Sequence, residues 1–183
     1  MNSIVRIPNN ILNTPTRTVR HFDKKLERLV SEMKRILLSA QKPNGVGLSA
    51  NQIGKQYSVF IAKPTAESKI RVFINPKIIS QTDKSIENEK KIKDHDKLEG
   101  CLSIPNIWGY VERAKEVTLQ YQDINGQQHE EKISGFLATI VQHEIDHLNG
   151  ILFSQRVIEQ KGKFYQITNK DGKEVLEEIS AFI

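Results

Sequence analysis

Two histidines set four residues apart, with a glutamate directly after the first, constrain this chain more than any other feature. Residues 136–150 read Phe-Leu-Ala-Thr-Ile-Val-Gln-His-Glu-Ile-Asp-His-Leu-Asn-Gly and contain His143-Glu144-Ile145-Asp146-His147. On an α-helix, positions four apart share a face, so both imidazoles can reach one metal ion while Glu144 stands beside them. Leu137, Ile140, Val141, Glu144, Ile145 and Leu148 recur at three- and four-residue spacing, Gly135 precedes the run, and Gly150 follows where a C-terminal cap is expected. Apolar residues flank the polar ones on nearly every side, which predicts a helix sunk in a core, where two histidines and a carboxylate need partners. A metal ion would satisfy all three; a surface helix with water-facing His and Glu is the alternative.

A chain of 183 residues is long enough for one domain with a proper core and short for two, so residues 1–183 are read as a single domain. The 27 Lys plus Arg against 22 Asp plus Glu leave a modest net charge of +5. No block of like charge and no aromatic-basic alternation suggests sequence-specific nucleic-acid readout. No apolar run is long enough to cross a bilayer, and the start, Met-Asn-Ser-Ile-Val-Arg-Ile-Pro, lacks the apolar stretch of a signal peptide, so no membrane association and a cytoplasmic location are expected. A single cysteine, Cys101, excludes an internal disulfide and serves either packing or chemistry.

Along the chain, the segment to about Thr18 carries Pro8 and Pro15 and reads as an irregular arm. Phe22, Leu26, Leu29, Val30, Met33 and Leu37 then form an amphipathic helical stripe from about Asp23 to Ala40. Tyr57 to Ala62 and Arg71 to Ile74 are predicted strands, with Ile78-Ile79 extending the sheet after Pro76. Thr82 to Lys97 reads as an exposed polar loop with His95 solvated. Val117, Leu119 and Tyr121 alternate with polar residues, Asn125-Gly126 signals a hairpin, and Gln128 to Ile133 is its polar return strand, with His129 exposed. Ile151 to Val157 and Lys163 to Thr168 are predicted strands. In the last stretch Val175, Leu176, Ile179, Phe182 and Ile183 fit a terminal helix, whereas Asp171-Gly172 invites a hairpin.

Two histidines leave a tetrahedral metal short of ligands; a catalytic site needs a third protein ligand and one open position. The third could be a downstream glutamate, Glu159, Glu174, Glu177 or Glu178, as in a zinc peptidase, or Cys101 upstream. Residues 45–54 hold three glycines with small Ser49 and Ala50, a backbone that bends sharply or admits something close. A phosphate-binding reading of this loop fails, because no Gly-Lys-Ser/Thr ending and no strand-then-helix context accompany it.

Taken in order, Gly45-Val46-Gly47-Leu48-Ser49-Ala50-Asn51-Gln52, Glu99-Gly100-Cys101-Leu102-Ser103 and Gln142-His143-Glu144-Ile145-Asp146-His147 resemble the three signature motifs of peptide deformylases. The resemblance runs from the first helix to about Phe153. It implies an α+β fold, with antiparallel β-sheets packed around the central His-Glu-x-x-His helix. It also implies Cys101, His143 and His147 as metal ligands, with Fe2+ the usual native metal and Zn2+ or Ni2+ able to substitute; one thiolate and two imidazoles suit such a borderline-soft cation. Glu144 would be the general base and acid, and the Gln52 side-chain amide and the Leu102 backbone N–H would face the oxyanion. The implied substrate is the N-formyl-methionyl end of a nascent polypeptide, from which formate is released.

By the same resemblance, the glycine loop at Val46 and Gly47, together with Gly100, forms a wall of backbone that pairs with the extended peptide, and Thr139 and Ile140 line the methionine pocket. Glu99 and Arg113 form an ion pair holding the cysteine loop, and Asp146 either orients a ligand from behind or is an exposed helix charge. Ser49 stands where the family commonly has Ala, a change expected to leave the loop's shape intact. The region after Val157 lacks the long basic helix found at the end of many bacterial members, which leaves a transient ribosome contact through it open. Trp108 sits either at the cleft rim or over the core. Two other readings use the same helix: a zincin-type endopeptidase with a downstream glutamate ligand, and a non-catalytic protein whose closed metal site serves only folding.

Overall fold

The computed structural model describes residues 4–40, 44–82, 98–170 and 173–180. The expected Thr82–Lys97 loop, with His95, and the Asp171-Gly172 turn therefore lie almost wholly outside the described residues, as do Phe182 and Ile183. The first long element is α1 (Lys24–Ser39), started by Asp23, whose carboxylate accepts from the N–H groups of Lys25 and Leu26 at 2.9 and 3.0 Å. Its stripe of Leu26, Leu29, Val30, Met33, Ile36 and Leu37 is buried, as the sequence spacing requires.

Two antiparallel sheets follow. The first runs in the order β1 (Gly47–Ser49), β2 (Val59–Ala62), β3 (Arg71–Gln81), β6 (Glu116–Gln122), β7 (Gln128–Ser134). The second runs β4 (Leu98–Cys101), β5 (Ile104–Tyr110), β8 (Phe164–Lys170), β9 (Lys173–Ile179). The two predicted strand pieces around Pro76 are one strand, β3, whose register against β6 shifts between Ile74 and Lys77. That bulge accommodates a proline with no N–H to give the ladder. The predicted hairpin is β6–β7, turned at Gly126 (φ +79°) and stiffened by the Asp123 carboxylate, which accepts from the N–H groups of Asn125 and Gln127. His129 is partly exposed and lies 3.1 Å from Asp123.

Between the sheets lies α2 (Gly135–Leu148), which carries the two histidines. Ala138, Ile140 and Val141 pack with Phe60, Phe73 and Leu119 from the five-stranded sheet, and even Gln142, Glu144, Asp146 and His147 are buried. Gly150 (φ +74°) ends the helix as expected, and it admits no side chain, since a Cβ would sit 2.7–2.9 Å from the backbone of Asn13 and Thr14.

One expectation changes here, one open alternative is decided, and one expectation gains detail. Ile151 to Val157 is not a strand: Phe153–Glu159 forms a short helix, α3, because Phe153 and Val157, four apart, both bury against β5, where Gly109 gives them room. The end of the described chain is the hairpin alternative, β8 paired with β9 from Phe164↔Ile179 to Lys170↔Lys173, and not a terminal helix. The N-terminal arm is irregular, as expected, but it is fastened: Leu12, in a short 3-10 turn at Asn10–Asn13, is fully buried, and the Val5 and Ile7 N–H groups donate to the carbonyls of Gln52 and Ser103.

Candidate metal centre and active-site cleft

The cysteine arrives on an edge strand. Cys101 closes β4, and α2 presents His143 and His147 one turn apart, so three ligand atoms lie within 4.8 Å of one another, all buried. Cys101 Sγ is 3.1 Å from His147 Nε2. Burial alone would raise the Cys101 thiol, but the neighbouring imidazoles outweigh it and hold it well below its usual range. Burial would likewise lower His143, yet the sulfur and Glu99 carry it well above its ordinary value. A thiolate facing two imidazoles in a buried pocket is a donor set of the kind that takes Zn2+ or Fe2+. His147 Nδ1 makes no hydrogen bond among the described residues. The downstream glutamates considered as third ligands do not join this group: Glu159 pairs with Arg156, Glu177 with Lys170 and Glu178 with Lys163.

Behind the ligands runs a chain of charges. His143 Nδ1 is 2.9 Å from Glu99 Oε2, which leaves its other nitrogen for a metal. Arg113 grips both Glu99 oxygens at 2.8 and 3.0 Å and reaches Asp146 at 2.5 Å; Asp146 in turn accepts two bonds from Arg156. These contacts hold Glu99 down to about 2 against the burial that opposes its charge. The Glu99–Arg113 pair is thus present as expected. Asp146 is neither exposed nor in contact with a ligand; it braces Arg113, one step further back. Replacing Arg113 with Met should cost about 3–5 kcal/mol, because two buried carboxylates would lose their shared cation. Chemical denaturation at pH 7 would register this as a lower midpoint with an unchanged slope.

Glu144 is buried beside the ligands, and its Oε2 has no hydrogen-bond partner among the described residues. The Ser49 hydroxyl is close enough to favour its charged form slightly, but that hydroxyl is directed to Asn51 and Gln52, at 2.8 and 3.1 Å. Burial pushes Glu144 up to about 7, with the charges of the two histidines pulling the other way. Gly47 makes this placement possible, since any Cβ there would collide with Glu144 Oε1. The glycine in the loop is a space requirement of the carboxylate.

Gln52 is fixed in one orientation. Its Oε1 accepts from the Ser49 N–H (2.9 Å) and hydroxyl, so its Nε2 must point to Ser103 Oγ (3.2 Å) and Cys101 Sγ (3.5 Å). Ser49 thus adds a hydroxyl donor to the loop. Sequence reasoning passed over Asn51, which donates to the His147 carbonyl at 2.6 Å, and Ser103. Leu102 sits in the turn between β4 and β5. Leu102, Val46, Gly47, Gly100, Thr139 and Ile140 all line one cleft of about 810 Å³ that opens onto Cys101, His143 and Glu144. The site residues expected from the sequence are thus all at or beside this cleft, and Trp108 belongs to its wall.

The sequence matches the polypeptide deformylase family over residues 1–163. It is 36% identical over 154 residues to peptide deformylase 1 of Bacillus cereus, covering 84% of this chain and 90% of the relative. The peptide deformylase of Treponema pallidum is 38% identical over 150 residues, covering 82% of this chain and 84% of the relative. The crystal structure of a peptide deformylase from Legionella pneumophila superposes with a TM-score of 0.74 at 32% identity, covering 85% of each chain. With a Cys/His/His group able to hold a metal ion at the heart of that fold, the chain belongs to the polypeptide deformylase family, metal-dependent hydrolases that remove the formyl group from N-terminal formyl-methionine.

Proposed function

We propose that residues 1–183 form one catalytic domain that deformylates nascent polypeptides in the cytoplasm, with Fe2+ held by Cys101, His143 and His147. The observation that carries this reading is a buried Glu144 carboxylate, its Oε2 without a hydrogen-bond partner among the described residues, beside three convergent ligand atoms. Zn2+ or Ni2+ would also suit the donor set. Bound there, the metal supplies Lewis acidity toward the formyl carbonyl. Everything else is the work of the chain. Glu144, elevated toward neutrality, holds the attacking water, takes its proton and returns one to the departing amine. Gln52 Nε2, its amide locked by Ser49, and the Leu102 N–H face the oxyanion.

The peptide enters as a strand between the free edges of β1 and β4, which end their respective sheets. The Val46 carbonyl already accepts from the Lys63 N–H at 2.7 Å, so pairing with substrate falls to the Val46 N–H and to Gly100. Thr139 and Ile140, on the same helix face as His143, border the methionine side chain. Among the described residues no helix is long and apolar enough to cross a membrane. A transient ribosome contact belongs to the same proposal.

Protein purified anaerobically should release formate from formyl-Met-Ala-Ser and leave unformylated Met-Ala-Ser intact. Gln52→Ala should lower kcat by about 10²–10³ with the metal content unchanged. Cleavage of internal peptide bonds without formate release would overturn the reading in favour of an endopeptidase.

A further inference from the structure

Trp108 lines the cleft, and its indole has no assigned task. Gly100 and Trp108 are direct partners in the β4–β5 ladder, so their side-chain directions share one face of the sheet. A Cβ built on Gly100 would lie 2.8, 2.9 and 3.1 Å from Trp108 Cζ3, Cε3 and Cη2, which shows the six-membered ring resting directly over the glycine. Leu98 and Tyr110 are the next pair on that face, and both line the cleft with Trp108. Glu99 meets His143 and Cys101 meets His147, so these two residues face α2 while Gly100 faces away from it.

A peptide strand added to the free edge of β4 alternates in the same way. Its residue opposite Gly100 must project onto the face that carries the indole, and the residue before it must project toward α2, where Thr139 and Ile140 stand. We propose that the residue following formyl-methionine packs its side chain on the Trp108 ring, and that the enzyme therefore prefers substrates with an apolar or aromatic second residue. This rests on the strand-addition reading of the cleft. The cleft, at about 810 Å³, lies in the range of roughly 300–1,000 Å³ that encloses a whole drug-sized ligand, so it has room for more than one side chain.

The test compares formate release from formyl-Met-Xaa-Ser peptides, with Gly, Ala, Leu, Phe or Asp as Xaa, by the metal-loaded enzyme and its Trp108→Leu and Trp108→Phe forms. Leucine keeps an apolar cover over Gly100, which guards the fold. In the wild type, kcat/KM for Phe should exceed that for Gly by roughly fivefold, carried by KM with kcat nearly constant, as befits one aromatic contact. Trp108→Phe should keep most of this ratio and Trp108→Leu should lose most of it, whatever the overall rate of each. Because Trp108 is the only tryptophan of the chain, its emission reports the contact directly. In metal-loaded Glu144→Gln protein, formyl-Met-Phe-Ser should shift it more than formyl-Met-Gly-Ser. Equal rates for Phe and Gly in the wild type, or an equal ratio in the Leu form, would overturn the proposal. No formate from any of the peptides would instead remove the deformylase reading, and the proposal with it.

Discussion

Replacing Cys101 with Ser should empty the metal centre and abolish formate release, while the fold survives. Serine nearly matches the cysteine's size, so packing around this buried position is disturbed little, but a hydroxyl beside two imidazoles is a far weaker ligand than a thiolate. Elemental analysis of the purified variant should find less than about a tenth of the wild-type metal, a level that a site held at about 100 times its Kd reaches on losing about 4 kcal/mol of binding free energy. Thermal unfolding should reveal the same loss. A metal held at about 100 times its Kd stabilises the native state by about 2.7 kcal/mol, and chelation should take this from wild type but not from the Ser form. Full metal retention by the variant would favour a third ligand elsewhere, as in a zinc peptidase.

Replacing Glu144 with Gln should have the opposite pattern: metal kept, activity lost. Removing a positioned general base and acid costs about 10²–10⁴ in rate, and that loss should fall on kcat. The stability of the protein should not fall. The carboxylate is buried without a partner on Oε2, a placement that opposes its ionised form, and an isosteric neutral amide relieves that strain. A calorimetric Tm at or above wild type, with equal metal content and formate release near background, is the expected result. A variant that deformylates at the wild-type rate would remove Glu144 from the chemistry. A closed, purely structural metal site predicts no activity in the wild type to lose.

What could be read from the sequence divides along physical lines. The helices α1 and α2 were legible because each is long enough for a 3.6-residue period to repeat several times and each is bounded by a capping residue. The β6–β7 hairpin was legible because Asn125-Gly126 demands a turn between alternating runs. The seven-residue α3 offered too few turns for a period, and its apolar residues resemble a strand as readily as a helix. In the last stretch Val175, Leu176 and Ile179 imitate helical spacing, and only pairing with β8 decides for a strand. That is information held by another part of the chain.

At the site, the meeting of Cys101 with the two histidines came from joining three motifs and not from any one of them. The contact of Glu99 with His143 was missed, although a signal was present: in a strand, residues 99 and 101 point the same way, so a strand aiming its cysteine at α2 aims this glutamate there too. The Asn51 bond to the His147 carbonyl and the tie from Val5 to Gln52 left no trace in local pattern, because each joins segments far apart in sequence, and the bracing by Arg156, only ten residues from Asp146, depends on α3 being a helix.

The end strands β1 and β4, both bordering the cleft, carry one more implication. Backbone groups on a strand edge can be answered only by a backbone that is itself stretched out and unbonded on the facing side. An N-terminus already coiled into a helix, or already stitched into its own sheet, has nothing left to offer them. With substrate added as the strand proposed above, the groove would be a gauge of time as well as of chemistry: it would admit a newly made chain while its first residues are still slack, and turn away the same chain once it has folded.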